Sequence, residues 1–427
     1  MSNAKTLIDS GLKKFSRPFS IATTSGDRII LPPSPQYIEW VKSNLHLSHQ
    51  ASVGADFFAG YPGFEGIDAV NDPRHLMIDV IKKHLSKNES SIAVAWEQLQ
   101  QCLDSAWTDD KEWHSVDWGS DAITFVAHMS AAVFVGPELA CNSGWQGLIT
   151  SYTVNLFLAA RALRSWPAVL RPVVHWVLPN CRICREQVAT ARSMLETEFA
   201  RREAKKPKNQ KDSIEWMEQV AAGRSYDAAA AQLGLAISSI HTTTQLLTQT
   251  LIDMCMYPAL LEPLRKEVTA ATEEHGFTTA GLYNMKLLDS VIKETQRLKP
   301  GMLVNLERMA TSPVTLPNGI MVPTGTQLAV SSFPSAFLDS ETYLGDRFLD
   351  DTGGQLVSSS TEHYAFGMGK YICPGRFLVA NELKIALASV LTKYDVKLED
   401  GAEPKIACVG FEMLADPKAR VEVRRRA

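Results

Sequence analysis

The run Phe366-Gly367-Met368-Gly369-Lys370-Tyr371-Ile372-Cys373-Pro374-Gly375-Arg376 sets one cysteine between a glycine-rich loop and a long amphipathic stretch. Pro374 suits the first turn of a helix, and Phe377, Ala380, Leu383, Leu387 and Leu391 recur at the spacing of one helical face. The pattern predicts a helix over 374–394 with Cys373 as its cap. Unpaired backbone N–H groups and the positive end of the macrodipole favour ionised sulfur there, and the thiolate is the form that binds metal. A lone thiolate suits an axial iron ligand. Gly367, Gly369 and Gly375 let the backbone run close beneath a flat macrocycle, where a β-carbon would collide, and Phe366 is placed to pack beside the sulfur. The alternative is a buried cysteine of purely structural use, yet Phe, Gly, Cys and Gly at these offsets should coincide in roughly one chain per thousand of this length.

The run resembles the heme-binding loop of the cytochrome P-450 family, the heme-thiolate monooxygenases, and the resemblance implies that Cys373 is the proximal iron ligand. Phe366, Gly369, Tyr371 and Gly375 then become cofactor-binding positions. Tyr371 stands where the family usually carries Arg or His against a heme propionate; a phenol can donate a hydrogen bond there without positive charge. About eighty residues upstream, Glu294 and Arg297 in Leu288-Asp289-Ser290-Val291-Ile292-Lys293-Glu294-Thr295-Gln296-Arg297 share a helix face. Taken alone, that spacing describes a solvated surface pair of little energetic worth. Under the resemblance it is the family's buried Glu-x-x-Arg pair, with Arg347 in Gly345-Asp346-Arg347-Phe348 as the third member. The stretch from Ser335 to Phe348 is shorter than in other members.

A third segment, Ala228 to Met254, is long, apolar and free of proline, and is interrupted by Ser238-Ser239-Ile240-His241-Thr242-Thr243-Thr244. Three consecutive threonines are poor helix residues whose hydroxyls bond to the preceding turn, so a local irregularity in a core helix accounts for them without any function. The resemblance makes this the distal helix of the family, with Thr242 as the alcohol of a proton relay, His241 where many members have Asp or Glu, and Ser239 at the small-residue position. An imidazole passes protons near neutral pH, but one at this position can also point away and merely pack. In Leu303-Val304-Asn305-Leu306-Glu307-Arg308-Met309, Arg308 matches an Arg that reaches a heme propionate, and Met302, Leu303, Val304 and Leu306 are candidates for the substrate side. A tryptophan and arginine four apart are absent from the N-terminal half, so no propionate contact is expected there.

At 427 residues and 45% hydrophobic content the chain can bury a large core, and length alone allows two or three domains. A single catalytic domain over 1–427 is expected, because the motifs must converge on one cofactor and no Gly/Ser-rich or Pro-rich linker divides them. The net charge of −4 argues against a nucleic-acid partner, and Lys205-Lys206-Pro207-Lys208-Asn209 reads as an exposed connection. Seven scattered cysteines do not make a disulfide framework. Cys181 and Cys184 lack the second pair that a zinc site requires.

Periodicity gives helices over 35–45, 72–86, 90–107, 119–134, 145–163, 184–204, 212–222, 226–257, 258–274 and 285–299, besides the one after Cys373. Short strands are expected near 27–31, 303–309, 313–316, 319–322, 327–331, 394–398 and 420–425. The expected fold class is mainly α with a small β region, and the resemblance supplies its arrangement: a long distal helix over heme and a proximal cysteine loop.

Phe134-Val135-Gly136-Pro137-Glu138-Leu139 and Leu170-Arg171-Pro172 with Trp176-Val177-Leu178-Pro179 are similar to filamentous-fungal members, several of which oxidise terpenoid skeletons. The resemblance implies a monooxygenase of secondary metabolism that uses O2, an NADPH-dependent flavoprotein reductase and a small apolar substrate. Lys370, Arg376 and Lys384 are candidates for a basic patch facing an acidic reductase. Two rival functions are a heme-thiolate isomerase or dehydratase needing no external electrons, and a catalytically impaired heme binder. Leu12-Lys13-Lys14-Phe15-Ser16-Arg17-Pro18-Phe19 is similar to the segment that follows the anchor in endoplasmic-reticulum members, which implies the cytosolic face of that membrane. No run approaches the roughly twenty apolar residues of a membrane span, so any bilayer contact is expected to be peripheral.

Overall fold

The side chain of Asp227 accepts a hydrogen bond from the Ala230 N–H at 3.0 Å and starts the helix Ala228–Met256, on which the rest of the chain is assembled. At 29 residues this helix is about 44 Å long. It is buried from Ala229 to Ala236 and again from Leu246 to Met254, which its nearly continuous apolar sequence allows. The helices Glu65–Val70, Trp118–Val135, Ser143–Arg164, Pro179–Lys205, Lys286–Leu298 and Arg376–Lys393 pack against it. One crossing depends on glycine: a β-carbon on Gly234 would stand 2.9 Å from the Gly66 carbonyl oxygen, so the two backbones meet with no side chain between them. The computed structural model describes residues 3–85, 89–205, 211–333, 341–349 and 353–426.

The strands lie beside this helical body. Phe19–Thr23, Gly26–Leu31, Gln327–Ser331, Val304–Ala310 and Leu47–Ser48 form a five-stranded sheet in that spatial order, in which only Gly26–Leu31 and Gln327–Ser331 run parallel. Between Asn305 and Arg308 the register shifts, and Leu306 takes a positive φ of 51°. This bulge turns the two charged residues that follow it. A three-stranded sheet joins His114–Val116, Val421–Arg425 and Tyr394–Leu398, and Trp107 packs edge-on to Tyr394 beneath it.

The mainly helical class with small sheets is as the sequence indicates. The helix expected over 72–86 is instead a short α-helix, Leu76–Val80, that widens into a π-helical turn, Ile81–Leu85. His75 stands in the left-handed region at its start, a conformation that closes off helix on the N-terminal side. The helix expected from 184 begins at Pro179, since proline is tolerated in a first turn. Helices at Ala4–Lys14 and His49–Asp56 and the strand Phe19–Thr23 fall where no element was expected. The exposed connection expected at Lys206-Pro207-Lys208-Asn209 lies outside the described residues, as do residues 335–340 of the short stretch that ends at Phe348.

Candidate functional site

The cysteine loop is a closed turn: the Cys373 N–H donates to the Phe366 carbonyl at 2.8 Å, and Gly367 and Gly369 between them adopt φ of +74° and +66°. A β-carbon on Gly369 would lie 2.9 Å from Lys42 Cγ, and one on Gly367 would lie 3.1 Å from the Tyr371 carbonyl. These two glycines are thus required by the turn and by Lys42, a different reason from the close approach to a macrocycle. Gly375 fits the macrocycle argument better, because a β-carbon there meets nothing within 4 Å. The helix begins at Arg376 with Gly375 as N-cap, two residues later than expected, so Cys373 precedes the cap. The N–H groups of Gly375 and Arg376 still point at the sulfur, and with the Arg376 guanidinium they hold the thiol down, but burial outweighs them and pushes it up. Phe366 packs against the main core.

On the adjoining sheet Arg308 is buried, with one guanidinium nitrogen donating to the Glu307 carbonyl at 2.8 Å and its Nε without a partner in the protein. Burial lowers its pKa to about 10, with Tyr371 and Glu307 opposing. The guanidinium lies over the Tyr371 ring at 4.6 Å, and His49 lies beside the same ring at 5.8 Å. His49 Nδ1 donates to the Glu307 carbonyl at 3.1 Å, and burial together with Arg308 depresses its pKa. The N-terminal half thus brings a histidine beside Tyr371, a side chain that the absence of a tryptophan–arginine motif leaves unmentioned. His49 escapes sequence reading because a lone histidine has no periodic or spaced partner; only the antiparallel pairing of Leu47–Ser48 with Met309–Ala310 draws it in.

Among the described residues no group of three or more His, Cys, Asp or Glu is placed to hold a metal ion. A single sulfur is the donor set for a metal that brings its own ring of ligands, and a buried arginine with an unused N–H is the complement of a carboxylate on that ring. The residues fit heme. Leu303, Val304 and Leu306, expected on the substrate side, are instead packed into the cores on either side of the sheet.

Glu294 is wholly buried. Arg297 Nε and Nη2 donate to its two oxygens at 2.7 and 2.8 Å, Arg347 Nε donates to Oε1 at 3.0 Å, and the Leu344 N–H adds a fourth donor at 2.9 Å. The structure thus brings all three residues of this core group together. Lys384 does not belong to a basic surface: it is buried, with Nζ 2.6 Å from Asp289 and 2.9 Å from the Leu282 carbonyl it donates to. Lys370 is exposed, and Arg376 donates to the Cys373 carbonyl at 2.9 Å.

Between its two buried stretches the long helix is open in the middle, where Ser238 and Thr242, one turn apart, are exposed. The Thr242 hydroxyl donates to the carbonyls of Ser238 and Ser239 at 3.1 and 3.2 Å, and Ser239 bonds back to Leu235 at 2.8 Å. With its hydrogen so engaged, the Thr242 oxygen offers lone pairs outward. His241 Nε2 donates to the Thr150 carbonyl on the neighbouring helix at 3.0 Å, and burial keeps the imidazole neutral. This contact ties the two helices together. Thr243, to which no role falls by motif, is buried with its hydroxyl unpartnered.

The family model for cytochrome P-450 matches residues 72–423. The chain is 38% identical to the cytochrome P-450 monooxygenase ntnM of a Nectria species, over 99% of this chain and 84% of that protein. It is 37% identical to the cytochrome P-450 monooxygenase pyr3 of Aspergillus fumigatus, over 100% of this chain and 85% of that protein. Against the cytochrome P-450 monooxygenase ptmU of Penicillium ochrochloron the identity is 35%, over 100% of this chain and 88% of that protein.

Proposed function

The chain belongs to the cytochrome P-450 family, and we propose that it works as one catalytic domain inserting an oxygen atom from O2 into a small apolar metabolite of terpenoid type. It is a monooxygenase, and its filamentous-fungal relatives support a place in secondary metabolism. The observation that carries the reading is the lone Cys373 sulfur beneath two backbone N–H groups, in a loop whose Tyr371 ring lies under a buried arginine with a donor to spare. Cys373 would hold heme through that sulfur, and the group would supply oxygen activation there, with electron density from the thiolate. Electrons come from an NADPH-dependent flavoprotein reductase, for which Lys370 on the exposed face of the cysteine loop is a contact candidate.

In this reading Arg308 holds a propionate, Tyr371 supports Arg308 from below, and Glu294 with its two arginines fixes the helix behind the loop. Thr242 accepts a hydrogen bond from a pocket water through its outward lone pairs and so holds a proton source at the open stripe of the helix. Thr242→Ala should therefore divert reducing equivalents to hydrogen peroxide, with product per NADPH falling by roughly tenfold or more. Peroxide release and product are measured together; unchanged coupling would remove Thr242 from the mechanism. No observation favours a reductase-independent isomerase, because the unusual His241 has a structural partner in Thr150. Arg347 seated on Glu294 likewise gives no support to an impaired heme binder.

Among the described residues no helix is long and apolar enough to cross a membrane. We place the protein at the cytosolic face of the endoplasmic reticulum through a peripheral surface between the helices Ser143–Arg164 and Pro179–Lys205. There Trp166, Val169, Leu170, Val173, Trp176 and Val177 are exposed together. From Thr153 to Arg185 the sequence carries five arginines and no acidic residue. Arg185 holds the loop by donating to the carbonyls of His175 and Trp176, both at 3.0 Å. Apolar tips with Arg161 and Arg171 nearby match an anionic bilayer, while Arg182 is paired with Glu186 at 2.8 Å. Val173→Glu with Trp176→Glu should cut flotation with anionic vesicles severalfold and leave the heme spectrum unchanged; equal flotation of variant and parent would refute this surface.

A further inference from the structure

Three side chains that no step above uses meet around one small space: Gln296 on the helix Lys286–Leu298, Ser332 just after the strand Gln327–Ser331, and His363 ten residues before Cys373. Each is more than nine-tenths buried. Gln296 Oε1, Ser332 Oγ and His363 Nε2 all lack a hydrogen-bond partner in the protein. Leaving such atoms dry forfeits hydration with nothing in return, so three of them around one void call for an occupant. The cavity they line is about 10 Å³, with Arg297, Pro300, Asn305, Glu362, Tyr364 and Ala365 completing the wall.

The size admits one water and nothing larger. The chemistry agrees with the size. Burial, with the nearby Lys293 and Arg297 charges, pushes the His363 pKa down to about 3 and holds the imidazole neutral. Its Nε2 is then an acceptor, as is Gln296 Oε1, while the Ser332 hydroxyl has a hydrogen to give. Water can donate to the first two and accept from the third. A cation is disfavoured by Arg297 in the wall, and an anion would face two acceptors.

We propose that this cavity is a binding site for a single resident water that bridges Gln296, Ser332 and His363. It fastens the segment leading into the cysteine loop to both the Glu294 helix and the five-stranded sheet. Neighbouring direct bonds do the same: Asn305 Nδ2 donates to the Ala365 carbonyl at 2.9 Å, and the Tyr364 hydroxyl donates to the Ser331 carbonyl. The water joins those bonds in positioning the loop.

The test uses the reduced, carbon-monoxide-bound holoenzyme, which is diamagnetic, and counts long-lived internal waters by nuclear magnetic relaxation dispersion. Ser332→Val fills the space with a methyl group and Gln296→Leu removes an acceptor; each should show one long-lived water fewer than the parent. A high-resolution crystal structure of the parent should show one water within hydrogen-bond distance of all three atoms. An unchanged water count in both variants, an ion with short coordination distances, or a cavity without density would overturn the proposal.

Discussion

Cys373→His is expected to abolish the thiolate-type Soret band in the carbon-monoxide difference spectrum of the reduced protein and to reduce monooxygenation to background. The sulfur has no substitute nearby, since the other six cysteines lie elsewhere in the chain and no second ligand cluster exists among the described residues. Its surroundings are divided: the N–H groups of Gly375 and Arg376 and the Arg376 charge favour the thiolate, and burial opposes it more strongly. A neutral thiol is therefore the resting preference of the protein alone, and iron is what stabilises the ionised sulfur. Imidazole at 373 would still ligate iron, but without the thiolate's electron donation, so heme content and spectrum should separate: pigment retained, band moved, turnover lost. Cys408→Ser serves as the control, with the parent spectrum. A parent protein that stays colourless with added hemin, or a Cys373→His protein with an unmoved band, would end the heme-thiolate assignment.

Local pattern carried the cysteine loop, the Glu294 helix and the long central helix, because in each the informative residues lie within a few turns of one another. Arg347 was reachable too, as a position matched by order along the chain, and it does sit on Glu294. What sequence could not supply is direction across the fold. Lys384 reads as a surface charge until Asp289, ninety-five positions away, is seen at 2.6 Å. His241 falls where a relay acid would be, yet the carbonyl of Thr150 on another helix decides where its ring points. His49 is silent until a two-residue strand pairs it with the Arg308 strand. Short elements were missed for a related reason. Helices such as His49–Asp56 are stabilised by packing and capping rather than by periodicity, which eight residues are too few to display.

Glu294→Gln should be the most destabilising single substitution outside the loop. The carboxylate accepts from two guanidinium groups and a backbone N–H with no exposed surface of its own, and both arginines also donate to the Thr342 carbonyl, Arg297 at 3.2 Å and Arg347 at 2.9 Å. An amide keeps the volume but gives up one acceptor and the whole charge, so a buried and a partly buried cation are left facing each other across one carbonyl. Breaking a buried ionic group in this way costs about 3–5 kcal/mol, a large part of the roughly 5–15 kcal/mol that holds a typical domain together. Arg347→Ala should cost less, because Arg297 and the Leu344 N–H remain on Glu294. Asp9→Asn, which breaks the exposed Lys5–Asp9 pair, should leave the melting temperature where it was. The order expected is thus Glu294→Gln far below Arg347→Ala, and Arg347→Ala below the parent, in melting temperature and in the yield of heme-loaded protein. A Glu294→Gln protein that melts with the parent would mean that this buried group contributes specificity of folding without net stability, and the account of what anchors the cysteine loop would have to rest on the sheet contacts at Asn305 and Tyr364 instead.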